Sequence, residues 1–437
     1  MNKFSKKIAV AAIPAVMALS ASAVDSKQLL MSEGGWEISF DGAANAFYNV
    51  TNSDATNDAT FAGANTVTTF ETAGDFIASD GAQTSSISVG LLPNVFGFTI
   101  KAPTSNGLDV SGRLGIYTHM NADGSSASSN APNMRETSFT VAGSFGSILA
   151  GRHLGLWQRK AIVNDVTLFG VGGTAGNITG TTLGRIGSGY VYADWYPQIQ
   201  WTLPTMGAVT ATVSLLQATP LISTTANYGA TETATPRVEV LIDANHSFGG
   251  ADINFWLDGQ FQELERTTTQ TTTVRAGATA YNGASTDEAD AITAYGIGTG
   301  AKITVGSFDL VASFFKNRGV GIQFQGNTGG STYSGALDAV GKARHFYGGY
   351  IQAHADLGGG TNAAFSYGQN KAVATGSDIE SLTVAERNTV EHWNGMLWHN
   401  LTDDFRVIAE GSYSEQSLHM GGSQDSTNVS LGAFFFW

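Results

Sequence analysis

The chain contains no cysteine, so a disulfide scaffold and a thiolate metal site are both excluded. Proline is scarce, at 8 of 437 residues, and glycine follows no three-residue period, which excludes a collagen-like chain. Charge is short too: 13% of residues are Asp, Glu, Lys or Arg, whereas about 25% is usual for a soluble domain. Beyond residue 23 no run approaches the ~18 continuous apolar residues of a membrane-spanning helix. The mean hydropathy is only −0.02. A chain neither charged enough for a soluble shell nor apolar enough for a helical bundle fits a β-protein whose polar and apolar residues alternate finely.

The first residues are organised as an address. Lys3, Lys6 and Lys7 precede an apolar run from Ile8 to Leu19, and Ser20-Ala21-Ser22-Ala23 supplies the small residues that signal peptidase needs. Residues 1–23 are therefore expected to be a cleaved secretory signal peptide and 24–437 the mature domain. Formal charge is 22 − 36 = −14, and loss of the three lysines makes it −17. Such an excess of acid argues against a nucleic-acid partner, which needs clustered Lys and Arg.

Period-two patterning runs through the mature chain. Val209, Ala211, Val213 and Leu215 alternate with Thr210, Thr212 and Ser214. Ile253, Phe255, Leu257, Gly259 and Phe261 alternate with Asp252, Asn254, Asp258 and Gln260, with Trp256 breaking the polar face once. Segments of this kind predict sixteen strands, over 36–50, 96–103, 107–118, 135–142, 146–153, 189–204, 208–217, 236–248, 251–265, 290–306, 308–321, 342–357, 361–372, 389–401, 405–416 and 426–437. Tiny turns such as Thr104-Ser105-Asn106, Phe248-Gly249-Gly250 and Gly358-Gly359-Gly360 alternate with long polar connections at 51–95, 119–134, 154–188, 218–235, 266–289, 322–341, 373–388 and 417–425. A soluble sandwich has no reason to gather its long loops at one end. A transmembrane barrel has one, with short periplasmic turns and long extracellular loops. A closed barrel also leaves no unpaired backbone edge in lipid, and sixteen strands enclose an aqueous lumen. The expected fold is therefore an all-β, 16-stranded antiparallel transmembrane barrel in contact with outer-membrane lipid.

In the last strand Val429, Leu431, Ala433, Phe435 and Trp437 fall on one face, and the chain ends on an aromatic residue. This resembles the insertion signal read by the outer-membrane barrel-assembly machinery. Trp36, Tyr48, Tyr117, Trp195, Tyr196, Trp201, Trp393 and Trp398 lie near strand ends, where interfacial aromatic girdles form. Gly42, Ala44 and Ala46 make a small-residue face on the first strand, a candidate subunit contact.

Arg135–Gly155, RETSFTVAGSFGSILAGRHLG, resembles the fourth and fifth strands of the general porins of Gram-negative bacteria, with a tight Gly-Phe-Gly turn and a Gly-Arg ending before the third loop. Residues 96–118 and Arg185–Val213 are similar to neighbouring hairpins of that family. The resemblance implies a homotrimer in the cell outer membrane, each barrel with its own pore and an inward-folded third loop, here 154–188. It implies a passive channel for ions and small hydrophilic solutes, filtered by size and charge. It also implies basic wall groups facing acidic loop groups across a constriction. Arg152 matches the Gly-Arg wall arginine, Arg113 and Lys101 fall on inward faces by alternation, and Asp165 is the only acid in the loop. Arg159, Lys160 and Arg185 depart from the acidic-loop pattern and are candidate constriction residues; for Arg159 and Lys160 the alternative is anchoring the loop to wall carboxylates or snorkelling at its base.

Enzyme motifs are missing: there is no His-Glu-x-x-His, no Gly-x-Ser-x-Gly and no phosphate-binding Gly-x-x-x-x-Gly-Lys-Ser/Thr. Neither catalysis, a cofactor nor a metal is expected. Gly296-Ile297-Gly298-Thr299-Gly300 has the wrong spacing for a nucleotide loop and lies within a strand, where small residues admit close neighbours. Two alternatives remain open: a substrate-selective channel of 16 or 18 strands, for which the long 51–95 and 266–289 loops speak, and a secreted soluble β-protein used for adhesion.

Overall fold

The computed structural model describes residues 28–56, 82–119, 132–173, 181–221, 230–232, 235–266, 291–327, 336–338, 341–376, 387–418 and 423–437. The expected signal peptide lies outside the described residues. Strand β1 (Gln28–Glu33) is followed by β2 (Trp36–Thr56), and β3 (Ala82–Ser88) and β4 (Asn94–Lys101) are two segments of one wall strand, both paired with β2. The wall continues through β5 (Asp109–Thr118), β6 (Asn133–Gly143), β7 (Gly146–Leu154), β8 (Trp195–Thr202) and β9 (Val209–Leu216). A short piece, β10 (Ala230–Glu232), pairs with β12, so that β9 is joined in the wall by β11 (Arg237–Phe248) and β12 (Ala251–Arg266). Then come β13 (Ile292–Val305), β14 (Phe308–Arg318), β15 (His345–Gly358), β16 (Thr361–Val373), β17 (Arg387–Asn400), β18 (Phe405–Leu418) and β19 (Ser423–Phe436).

Wall neighbours are antiparallel, and β19 pairs with β2 from Ser423↔Thr56 to Phe436↔Ala43, which closes the sheet. Counting β3 and β4 as one and leaving out the flanking pieces β1 and β10, the closed wall has sixteen strands. Where β19 ends, Trp437 exchanges backbone hydrogen bonds with Gly42, and β1 takes over the same edge of β2 below it. A Cβ on Gly42 would lie 2.5 Å from the Trp437 ring. That glycine therefore makes room for the terminal residue, a local reason for part of the small-residue face.

The alternation is realised as an oily outside. In β19, Val429, Leu431 and Phe435 are 60%, 58% and 48% exposed, while Ser430 and Phe434 between them are 0% exposed. Phe255, Phe261, Ile297, Phe314, Ile351, Phe365 and Leu397 continue exposed rows around the wall. An aqueous solvent would drive such rows together, whereas lipid does not, and ring closure leaves the wall no open edge between β19 and β2.

Two boundaries differ from the sequence expectation. The 51–95 connection contributes strand as far as Thr56 and again over Ala82–Ser88. Thr51–Thr56 reads Thr-Asn-Ser-Asp-Ala-Thr, and a strand without an apolar row leaves no period-two hydrophobic signal. Conversely, the expected strand at 189–204 begins at Trp195, because Tyr190, Val191 and Ala193 are buried inside the barrel as the end of the third loop. Of the expected girdle, Trp36, Tyr48, Trp201 and Trp393 are exposed. Tyr117, Tyr196 and Trp398 instead pack on the inward groups Glu136, Arg237 and His354, and Trp195 packs on Tyr117.

Substituting Leu431→Arg places a cation on the lipid face of the closing strand. It is expected to cost about 2–4 kcal/mol near mid-bilayer, read as a lower urea midpoint for the barrel refolded in lipid vesicles.

Candidate pore constriction

Residues 155–173 and 181–194, between β7 and β8, turn into the barrel. They carry a short helix, α1 (Arg159–Val163), and a 3-10 turn, Val166–Phe169. Leu156, Trp157, Ala161, Leu168, Val171 and Tyr190 are all buried. The wall is shaped to receive them. At alternate positions of β13, a Cβ on Gly296 would lie 2.7 Å from the Trp157 ring, one on Gly298 would meet the Gln158 side chain, and one on Gly300 would meet the Trp256 ring. The glycine stripe that looks like a nucleotide loop is a groove for this loop. Trp256, the break in the polar face of β12, is fully buried beneath it.

Wall carboxylates grip the loop by its backbone. Glu410 accepts from the amides of Val171 (2.8 Å) and Gly172 (2.6 Å) and from the Asn394 side chain (2.6 Å). Glu239 accepts from the amides of Leu156 and Trp157, and Asp258 from the backbone and side-chain N–H of Gln158. On the far wall the Tyr350 hydroxyl donates to Ala161 O, while Gln352 accepts from Val166 N and donates to Asn164 O. Phe169 packs edge-on against Phe434 and Phe436 of β19.

The predicted site residues fall into separate groups. Arg113 is clamped by Asp41 through two hydrogen bonds (2.6 and 2.8 Å) and also reaches Glu136 (3.4 Å) and Thr99 (3.2 Å). Its guanidinium fills the space a side chain at Gly97 would take. Lys101 pairs with Glu37 at the periplasmic end (3.6 Å), with both side chains well exposed. Arg152 pairs with Thr137 and Pro197 and shares its strand face with the exposed Ile148, opposite the face of His153. It is thereby separated from Arg113. Lys160 meets Asp243 at 2.6 Å and lies over the Trp256 ring. Arg159 donates to Leu154 O, Gly155 O and Gln200. Burial pushes its guanidinium down to about 10 against the opposing pull of Glu239, so it stays charged at neutral pH.

Arg185 and Asp165 form an ion pair inside the loop (3.6 Å), both fully buried. Asp165 also accepts from Thr167 N (3.0 Å) and the Tyr190 hydroxyl (2.8 Å). Burial, and then the charge of Asp165, hold the Tyr190 phenol well above its ordinary range, so it remains a donor. Asp165 is thus spent on the loop's own fold, and the carboxylates that grip the loop belong to the wall.

Sequence reasoning missed Glu239, Asp258 and Glu410 as anchors. Their signal was present as isolated acids on otherwise inward polar faces, with no spacing that named their partners. It also missed a second inward segment: Val320, Ile322, Leu337 and Ala343 pack with Trp157, Val191 and Phe346. Gln325 from that segment donates to Tyr192 O and Ala193 O and accepts from Arg237. A cavity of about 340 Å³ remains between the loop tip, residues 163–169, and the inner faces of β13–β18. Lys302, Asp309, His354, Trp398 and Arg406 are among the wall groups that line it.

Glu410→Ala strands two loop amides and the Asn394 side chain. With charge-assisted hydrogen bonds worth about 1.5–3 kcal/mol each, local opening of the loop should rise by roughly 100-fold. Trypsin cleavage after Arg159 or Lys160 in the assembled barrel measures it; a cleavage rate equal to wild type would show that Glu410 does not hold the loop.

Neither a protein-family model nor a curated protein sequence matches the chain. Solved structures do match in shape. The outer membrane channel DcaP of Acinetobacter baumannii superposes with a TM-score of 0.65 at 14% identity, over 93% of this chain and 99% of that one. Outer-membrane expressed OmpT of Vibrio cholerae gives 0.52 at 12% identity, over 94% and 100%. Salmonella typhi OmpF, in complex with daunomycin, gives 0.52 at 10% identity, over 92% and 99%. The chain therefore has the fold of the outer-membrane porins, a closed sixteen-stranded barrel with its third loop turned inward.

Proposed function

We propose that the protein is a passive diffusion channel of a Gram-negative outer membrane, admitting ions and small hydrophilic solutes past a third-loop constriction. The observation that carries this reading is the union of an exposed apolar exterior with a lumen whose inner wall is polar and whose third loop is fixed at many points. A barrel closed in this way satisfies its backbone in lipid. A loop held by buried carboxylates keeps the narrowest section at constant width, which is what size exclusion requires. Cleavage after Ala23, delivery by the barrel-assembly machinery through the Val429–Trp437 signal and assembly as a homotrimer belong to the same proposal.

Charge filtering is assigned to groups on the lumen wall. Arg113 sits between Asp41 and Glu136, so that stretch of wall carries more acid than base. Arg406 of β18, two strands from β2 around the wall, stands beside the cavity with no paired carboxylate among the described residues. The field between acid-rich and basic stretches of wall orients dipolar solutes and biases ion passage. Lys101 lies at the periplasmic entrance. Lys160 and Arg185 act as anchors within the constriction rather than as free charges.

Purified protein in a planar bilayer under a salt gradient tests pore formation and selectivity together. Discrete conductance steps that grow linearly with salt are expected; absence of steps would contradict the channel. Arg113→Gln leaves Asp41 and Glu136 unopposed and should move the reversal potential toward cations. Asp41→Asn in the same chain should bring it back, and an unmoved potential in both would remove Arg113 from the filter.

A further inference from the structure

Lumen-facing cations are mostly neutralised in place: Arg113 by Asp41, Lys160 by Asp243, Arg185 by Asp165, Arg237 by Glu239 and Lys302 by Asp309. Arg406 of β18 is different. Its Nε donates to Asn400 Oδ1 (2.8 Å), and its guanidinium lies 5.6 Å from the Trp398 ring, 5.7 Å from Phe436 and 6.0 Å from Phe169. Among the described residues no carboxylate pairs with it, and both Nη groups are left to the cavity. Three aromatic rings and one amide fix a planar cation in position without neutralising it. A pre-oriented guanidinium fork is the group that carboxylates bind through two parallel, charge-assisted hydrogen bonds.

The rest of the chamber is unlike a plain water channel. Val163, Val166 and Phe169 from the loop face Val311, Met396 and Ile408 from the wall, next to Arg406. Its volume of about 340 Å³ lies within the ~300–1,000 Å³ common for small-molecule sites. The acids that line it have other commitments. Asp309 accepts from His354 (3.0 Å) and pairs with Lys302 (3.3 Å), and Asp165 is held by Arg185 and Tyr190. Asp356 accepts from Gly358 N at an exposed turn, where solvent screens it.

We propose that this chamber is a binding station for amphiphilic organic anions, in which a carboxylate sits on the free edge of Arg406 and an apolar body lies against Phe169, Met396 and Ile408. The inference rests on the channel reading and names the solute class that the lumen retains longest. A single station that binds weakly enough for release holds a solute without trapping it. Trp398, stacked on His354 at 5.1 Å and 10°, is a positioning residue for the arginine.

The test uses the full-length protein in a planar bilayer in potassium chloride, with benzoate as probe and acetate and benzyl alcohol as controls. Benzoate is expected to reduce the current in a saturable way, whereas acetate lacks the apolar body and benzyl alcohol lacks the charge. Arg406→Gln should raise the half-blocking concentration about 10-fold or more, the loss expected for a bidentate charged contact, with block read relative to each variant's own potassium chloride conductance. Arg406→Lys keeps the charge but loses the fork, and should fall between the two. Equal effects of benzoate and acetate on wild type would overturn the proposal, whether or not Arg406→Gln assembles. So would unchanged block in either variant. A channel that conducts but ignores benzoate counts against the station alone, while a protein that conducts no ions overturns both readings.

Discussion

A strand in hydrocarbon has no water to bond its backbone, so the pairing of β19 with β2 is the contact on which the remaining structure depends. It runs unbroken from Ser423↔Thr56 to Phe436↔Ala43, and it turns an open sheet with two costly edges into a ring with none. Once the ring is closed, the two faces of each strand meet different solvents. The outward row of β19 then has to be Val429, Leu431, Ala433 and Phe435, and the inward row is free to be Asn428, which donates to Ser430, and Ser430, which donates to Asn49. The low charge of the chain follows, since half of the wall cannot carry ions cheaply.

Inside the ring, the third loop is held by an arrangement that inverts the expected one. An acidic loop facing a basic wall would leave carboxylates in the lumen. Here the wall supplies the carboxylates, Glu239, Asp243, Asp258 and Glu410, and the loop supplies backbone amides, the Gln158 side chain and Lys160, while Arg185 is paired with the loop's own Asp165. A buried carboxylate accepting amide hydrogens meets most of its desolvation cost through those bonds, so each anchor makes the loop position specific. Val320, Ile322, Ala336, Leu337 and Ala343 then pack with Trp157 and Val191 of the loop from the side of Phe346.

Much of the barrel was legible because period two is a strong signal wherever one face meets lipid. Val209–Leu216 and Ala251–Arg266 are examples in which alternation named both the strand and its outward face. It failed where that pressure ends: Thr51–Thr56 extends as strand with polar residues throughout, and Gly189–Asp194 reads as strand but folds inward as loop. The constriction was less legible. Asp165 and Arg185 stand out by type, yet their partners lie on one another, on Tyr190, and on the backbone and side chains of distant strands, which no local spacing encodes. Arg406 gives no sequence signal at all, because its distinction is the lack of a counter-charge, visible only once three strands and the loop tip are in place.

The central claim is that apolar residues coat the outside of the cylinder and polar ones face its lumen. Since the chain has no cysteine, single cysteines introduced one at a time from 426 to 435 in β19 can carry an environment-sensitive fluorophore in the barrel reconstituted in vesicles of brominated lipid. Strong quenching by the lipid at 429, 431, 433 and 435, with weak quenching at 428, 430, 432 and 434, is the predicted result. Quenching that shows no alternation, or that alternates in the opposite phase, would contradict it.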